Sequence, residues 1–198
     1  MEWDGIFYAT HPEVYDPSDD TFLLARVVRD SVGPGDRFLE VGCGTGVVSI
    51  AAGQRGAQVT CTDANPHAVR LAYQNAKQNA VGVQALETDL MAGVPGPFDA
   101  IAFNPPYLPT TDDDRVSGPL NLAFDGGESG NDVVLRFVDQ LEAATWTPPP
   151  RLVLILHSSL SDPGPLMDRM AALGYVADVA AEERHFMERL TVRRFTHA

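Results

Sequence analysis

The chain has 198 residues, 44% of them hydrophobic, enough for one sizeable core and too few for two comfortable domains. Its formal net charge of -13 is spread along the chain without a basic block, which argues against a protein that grips nucleic-acid phosphates. No apolar run approaches the roughly 18 residues of a membrane span, and the acidic start lacks the basic and apolar regions of a signal peptide, so a cytoplasmic location is expected.

Residues 1–18 hold Pro12, Pro17 and several aromatics and read as an ordered arm without regular structure. Ser18-Asp19-Asp20 ahead of the apolar-periodic Phe22, Leu23, Val27 and Val28 predicts a capped helix start, and Gly33-Pro34-Gly35 its end. A strand is expected over Arg37 to Val41, then the turn Gly42-Cys-Gly-Thr-Gly46, then a helix from Val47 to Arg55. Gln58 to Thr62 reads as a strand ending at Asp63. Pro66 opens a helix to about Asn79. Val83 to Thr88 and Phe98 to Phe103 read as strands that end at Asp89 and at Asn104-Pro105-Pro106-Tyr107.

The segment 108–130 reads as an active-site loop, because structureless stretches of that length are usually functional or mobile. Helices are expected over Asn131 to Ala144 and Leu166 to Leu173, and strands over Arg151 to His157, Tyr175 to Ala180 and Leu190 to Thr196. Strands alternating with helices mean an α/β fold: a Rossmann-like, seven-stranded, mostly parallel sheet with helices on both faces. The last two strands lack a helix between them and predict a C-terminal antiparallel hairpin. No repeat or linker divides the chain, so residues 1–198 read as one domain.

In such a sheet the ligand sits at the carboxyl ends of the strands, where every unusual motif here lies. Gly42, Gly44 and Gly46 are spaced G-x-G-x-G, and Glu40 stands just before them. Glycines let the backbone approach a ligand, and a carboxylate at the mouth repels phosphate but suits an ammonium group. That combination favours an amino-acid-like ligand such as the methionine part of S-adenosylmethionine; the alternative is a tight turn with no ligand. Asp63, about 20 residues after the first glycine, stands where a carboxylate accepts from ribose hydroxyls, or where it could cap the following helix. Asp89 could accept from an adenine amino group while Leu90 packs on the ring; a surface turn is the alternative.

Asn104-Pro105-Pro106-Tyr107 is the motif that decides the chemistry. A planar amino nitrogen is a poor nucleophile because its lone pair is delocalised. Two acceptors that hold its N–H bonds can turn that lone pair toward a methyl group. Asn104 offers a side-chain oxygen, Pro105 a carbonyl without a competing N–H, and Tyr107 a flat face. Alignment then supplies most of the catalysis.

Other features carry less. Cys43 and Cys61 have no partner at zinc-ligand spacing and read as packed thiols; no metal site is expected. Asp112-Asp113-Asp114 reads as a solvated run, and His157-Ser158-Ser159 lacks the glycines of a hydrolase elbow. Excess acid with Lys77 as the only lysine suits solubility in high salt.

With these residues in view, the chain resembles the class I methyltransferases, and within them the HemK/Mtq2-type protein-glutamine N5-methyltransferases. Glu40–Gly46 is similar to methyltransferase motif I and Asn104–Tyr107 to the NPPY of motif IV. Val14-Tyr-Asp-Pro-Ser-Asp-Asp-Thr-Phe-Leu-Leu24 is similar to a segment of the short Mtq2 branch, and Phe124-Asp-Gly-Gly-x-x-Gly130 resembles a W-x-G-G-x-x-G loop of that branch. The resemblance implies that Thr21, Glu40, Gly42, Asp63, Asp89, Leu90 and Asn104 contact S-adenosylmethionine, which leaves as S-adenosylhomocysteine. It implies that Asn104 and Pro105 hold the substrate nitrogen. The implied substrate is the glutamine of a release factor's Gly-Gly-Gln loop, and the implied partner a small Trm112-like zinc-binding protein on the edge strand Val83 to Thr88.

NPPY also serves adenine-N6 nucleic-acid methyltransferases, and some members of the branch methylate lysine in proteins. The negative charge and the lack of a base-flipping surface weigh against nucleic acid. A nucleotide-binding module without catalysis would have no use for Asn104–Tyr107.

Overall fold

The computed structural model describes residues 1–110, 118–185 and 187–197. The seven strands of the main sheet are β3 (Arg37–Val41), β4 (Gln58–Asp63), β5 (Val83–Glu87), β6 (Ala100–Phe103), β7 (Leu152–Ser158), β8 (Tyr175–Arg184) and β9 (Arg189–His197). Their order across the sheet is β5-β4-β3-β6-β7-β9-β8. The first five pair in parallel and β9 runs antiparallel between β7 and β8, as the sequence leads one to expect. The helices are α1 (Asp19–Ser31), α2 (Val47–Gln54), α3 (Pro66–Gln78), α4 (Asp132–Ala143) and α5 (Gly164–Ala172).

Alternation along the strands splits the core into two layers, because successive side chains of a strand point to opposite faces. Phe38, Ala100, Ala102, Leu152, Leu154 and Leu156 pack with Leu24, Val28, Val48 and Ile50 of α1 and α2. Leu39, Val41, Ile101, Phe103, Val153 and Ile155 pack on the other face with Phe137, Val138, Leu166 and Met170 of α4 and α5. Covered on both faces, β6 and β7 are buried at every residue, which is why Leu152–Leu156 reads as an unbroken apolar run.

The structure departs from the sequence reading in several places. The N-terminal arm contains a short hairpin, β1 (Glu2–Trp3) with β2 (Ile6–Phe7), turned at Asp4-Gly5. Three asparagines of α3 and its cap hold the arm. Asn79 exchanges two hydrogen bonds with the backbone of Phe7 at 2.9 and 2.6 Å, Asn75 does the same with Ala9 at 2.9 and 3.1 Å, and Asn65 Nδ2 donates to Glu13 O at 2.6 Å. β6 starts at Ala100 instead of Phe98, whose ring turns aside onto Trp146 at 5.2 Å. β8 runs on to Arg184, past the end of its apolar stretch, because its backbone keeps pairing with Arg189–Val192 beyond a bulge at Val179/Ala181.

The segment after Tyr107 is also more ordered than a plain loop. Leu108 bridges Asp125, Thr110 N donates to Gly127 O at 3.0 Å, and Pro119–Ala123 forms a 3-10 turn. The run Asp112-Asp113-Asp114 lies outside the described residues. Among the described residues, no helix is long and apolar enough to cross a membrane.

Candidate active site

A cavity of about 520 Å³ opens at the carboxyl ends of β3, β4 and β6, where the strand order reverses between β3 and β6. Thr21, Glu40, Gly42, Gly44, Asp63, Asp89, Leu90 and the whole of Asn104–Tyr107 lie on its wall. Gly46 does not. Its backbone is left-handed at φ 81°, and a Cβ there would come within 2.9 Å of Ala72 Cβ, so it serves the close packing of α2 on α3.

The glycine turn is tied to the next strand. Asp63 accepts Gly44 N at 2.9 Å through one oxygen and Asn65 N at 2.8 Å through the other. Asn65, and not Asp63, caps α3 by accepting His67 N at 2.9 Å. Asp63 is therefore free of the capping role and faces the cavity. A Cβ at Gly44 would meet nothing within 4 Å, so the turn presents bare backbone there.

Glu40 is buried at the end of β3. Its Oε2 accepts Ser49 N at 2.8 Å and the Ser49 hydroxyl. Burial pushes the Glu40 carboxyl up to about 8; the Ser49 hydrogen bonds oppose this and the nearby Asp63 charge adds to it. Burial raises Asp63 as well. A cavity with two carboxyl groups whose ionisation burial opposes is suited to a cation, which would favour their ionised forms.

The Asn104 side chain is the most informative group in the cavity. Its Nδ2 donates to Asp20 Oδ2 at 3.0 Å, while its Oδ1 is buried and makes no hydrogen bond among the described residues. A buried, unpaired acceptor is costly, and one on a cavity wall can accept a ligand N–H. Tyr107 Oη also donates to Asp20 Oδ2, at 3.3 Å, and Tyr15 Oη lies 3.3 Å from both Asp20 oxygens. Burial, followed by the Asp20 charge, raises both phenols well above their ordinary range, so both remain donors. Asp20 and Tyr15 were missed at the sequence level. Asp20 reads there as part of a helix cap, and only its place beside Thr21-Phe-Leu-Leu hinted at more.

The far wall comes from the segment after Tyr107. Leu120 to Phe124 line it, and Phe124 meets Tyr15 edge-on at 5.5 Å. The glycines of Phe124–Gly130 let this segment lie on the NPPY backbone: a Cβ at Gly126 would sit 2.8 Å from the Pro106 carbonyl oxygen, and one at Gly130 2.5 Å from that of Tyr107. Asp89 is half-exposed and ion-paired with Arg136 of α4, a partner no sequence pattern announced. Leu90 is buried with a left-handed backbone, φ 53°, strain that its packing with Phe103 and its neighbours holds in place. Glu188, from the β8–β9 turn, also reaches the wall and accepts from Ser158 Oγ. His157 is buried below, 3.3 Å from Ser161 Oγ; burial lowers it to about 4, with Arg193 contributing. Cys43 and Cys61 are buried free thiols.

Comparison with known proteins agrees with this geometry. The family model described as "Methyltransferase small domain" matches residues 11–117. A putative protein N5-glutamine methyltransferase of Methanocaldococcus jannaschii is 39% identical, over 97% of this chain and 96% of its own length. Human methyltransferase HEMK2 is 31% identical, over 93% and 90%. A chain of the E. cuniculi Mtq2–Trm112 complex superposes with a TM-score of 0.75 at 24% identity, covering 94% of this chain and 99% of that one, a likeness of fold. The strand order, the glycine turn and the unpaired Asn104 oxygen thus belong to a chain of the methyltransferase small-domain family, an S-adenosylmethionine-dependent methyltransferase similar to HEMK2.

Proposed function

We propose that this protein methylates the side-chain amide nitrogen of the glutamine in the Gly-Gly-Gln loop of a translation release factor. The observation that carries the reading is the buried, unpaired Asn104 Oδ1, set beside Pro105 at the end of β6. The named relatives support it: the Methanocaldococcus jannaschii protein is described as a putative protein N5-glutamine methyltransferase, and the Mtq2–Trm112 complex as responsible for methylating the termination factor eRF1.

The cavity fits S-adenosylmethionine by its own chemistry. Glu40 suits the ammonium group, Asp63 the ribose hydroxyls, the open backbone at Gly44 the close approach of the ligand, and Leu90 with Asp89 the adenine. Thr21 completes this side. The cofactor supplies an electrophilic methyl group. The protein's own residues then deal with the acceptor. Asn104 Oδ1 and the Pro105 carbonyl accept its two N–H bonds and turn the nitrogen lone pair out of conjugation. Tyr107 and Pro106 shape the slot, and Leu120 to Phe124 exclude water. Transfer would exchange the cofactor's carbon–sulfur bond for a nitrogen–carbon bond, and the acceptor nitrogen would lose one N–H proton to solvent. Orientation does most of the work, since no group in the slot is a strong base.

In the same reading the chain acts in the cytoplasm as one catalytic domain with a Trm112-like partner. β5 is an edge strand with one side of its backbone unpaired in the sheet, and an added strand there would extend the sheet.

The test is transfer of labelled methyl to a release factor from the same organism, with and without a Trm112-like protein, beside DNA, RNA and lysine-bearing acceptors and an Asn104→Ala control. Label on the Gly-Gly-Gln glutamine that disappears with Asn104→Ala is expected. Label only on nucleic acid or on lysine overturns the glutamine reading.

A further inference from the structure

We infer that Asp20 is a positioning residue that sets the polarity of the Asn104 amide, holding its NH2 group away from the acceptor slot so that Oδ1 faces it. This inference rests on the proposed use of Asn104 as an acceptor.

An asparagine side chain has a donor end and an acceptor end of nearly equal shape, so its neighbours must decide which one faces the substrate. Were the amide reversed, Nδ2 would point at the substrate N–H groups and repel them. At this site the deciding neighbour is a carboxylate. Asp20 is 4% exposed and lies at the start of α1, where both of its oxygens only accept. Oδ1 accepts Thr21 N at 2.6 Å and the Thr21 hydroxyl at 3.2 Å. Oδ2 accepts Asn104 Nδ2 at 3.0 Å and Tyr107 Oη at 3.3 Å, with Tyr15 Oη at 3.3 Å from each oxygen. A carboxylate surrounded by donors cannot accommodate the oxygen of a reversed Asn104, because two acceptors would then face each other without a proton between them. The same group therefore fixes three side chains of the slot at once: Asn104, Tyr107 and Tyr15.

The carboxylate does not serve as the helix cap in the usual sense. The residue at the cap position, Ser18, makes no side-chain capping bond, and Asp20 spends its second oxygen on its neighbour Thr21. The contact to Asn104 spans 84 positions of sequence and joins α1 to the end of β6.

The experiment follows the Asn104 side-chain NH2 resonances of the full chain by NMR and, in parallel, single-turnover methyl transfer to the release factor. In the unsubstituted protein the two Asn104 Nδ2 protons are expected to exchange slowly with solvent and to cross-relax with the Tyr107 ring, which shares Asp20 Oδ2 with them. Asp20→Asn presents a donor to Asn104, so the cross-relaxation to Tyr107 should be lost, kcat should fall about 100-fold, and the Kd for S-adenosylmethionine should stay within about twofold. The Asp20→Glu variant, which keeps the acceptor charge, should recover at least about tenfold of the loss. The paired variant Asp20→Asn with Asn104→Asp should also recover activity, since it restores an acceptor facing the slot. An Asn104 NH2 group in the unsubstituted protein that exchanges quickly with solvent and shows no cross-relaxation to the Tyr107 ring overturns the inference, even if Asp20→Asn proves unable to fold. So does an Asp20→Asn protein whose kcat is unchanged, or in which cofactor affinity falls as far as kcat. Failure of the unsubstituted enzyme to label any release factor would sink the glutamine reading, and the Asn104 resonances would still decide the role of Asp20.

Discussion

Asp63 accepts the amide N–H of Gly44 at 2.9 Å across the neighbouring ends of β4 and β3, so the end of β4 fixes the shape of the turn that follows β3. The same carboxylate accepts Asn65 N, which leads into α3. One side chain thus couples two neighbouring strand ends around the cavity.

Replacing Asp63 with Ala is expected to leave two backbone N–H groups without their partner, at about 1–3 kcal/mol of stability each if water does not reach them. Cofactor affinity should fall more than tenfold, because the glycine turn loses its anchor as well as the ligand losing an acceptor. Calorimetric titration with S-adenosylhomocysteine, alongside a urea unfolding curve, checks both effects. Unchanged affinity would show that the turn holds itself.

Glu40 makes stability and binding depend on pH. Its folded value of about 8 lies above the ordinary 4.5, so within that window the folded state keeps a proton that the unfolded state has lost. The stabilising contribution is complete below 4.5 and disappears as pH rises through about 8, a change on the order of a few kcal/mol. Between pH of about 5 and 8 the protein should therefore lose stability relative to its Glu40→Gln variant. A cationic ligand facing Glu40 should expel this proton, so binding near pH of about 7 should release protons in buffers of different ionisation enthalpy. Parallel stability profiles for the two proteins would contradict this account.

Gly130→Ala puts a Cβ 2.5 Å from the Tyr107 carbonyl oxygen on a backbone with φ 73°. The expected cost is about 1–3 kcal/mol, together with a fall in methyl transfer as the NPPY backbone shifts. Gly33→Ala is the matched control. No atom lies within 4 Å of its added methyl group, and stability should change by no more than about 0.5 kcal/mol. Thermal melts and transfer rates of the two variants separate crowding from a general loss of glycine.

The arm reaches the cavity through Glu13, Val14 and Tyr15, so its attachment should matter to binding. Asn75→Ala removes buried bonds to Ala9 and to the Thr45 carbonyl and should cost about 1–3 kcal/mol. Asn79→Ala removes more exposed bonds to Phe7 and should cost about 1 kcal/mol or less. Limited proteolysis should cut within residues 1–10 faster in both variants, with Asn75→Ala the more affected. Equal cleavage of all three proteins would mean that other contacts, among them Trp3 stacked on Phe22 at 4.9 Å and Arg29 paired with Asp4, are enough to hold the arm.

The strand alternation, the glycine turn and the carboxylates at strand ends were legible in the sequence because each follows from a local rule. Side chains alternate along a strand, so Leu152–Leu156 announces a strand covered on both faces. Three glycines in five residues announce a turn whose backbone a side chain would obstruct. Asn104–Tyr107 stood out because the chemistry of its residue types is carried in four consecutive positions, and all four lie on the cavity wall.

What those residues meet was decided by tertiary structure alone. Nothing local to Asp20 says that it lies 3.0 Å from Asn104, nothing near Asp89 points to Arg136, and nothing in the β8–β9 turn places Glu188 on the cavity wall. Such contacts depend on how α1, α4 and the terminal hairpin pack onto the sheet. They are set by the fit of whole elements against the two core layers, and a short stretch of sequence carries no record of that fit.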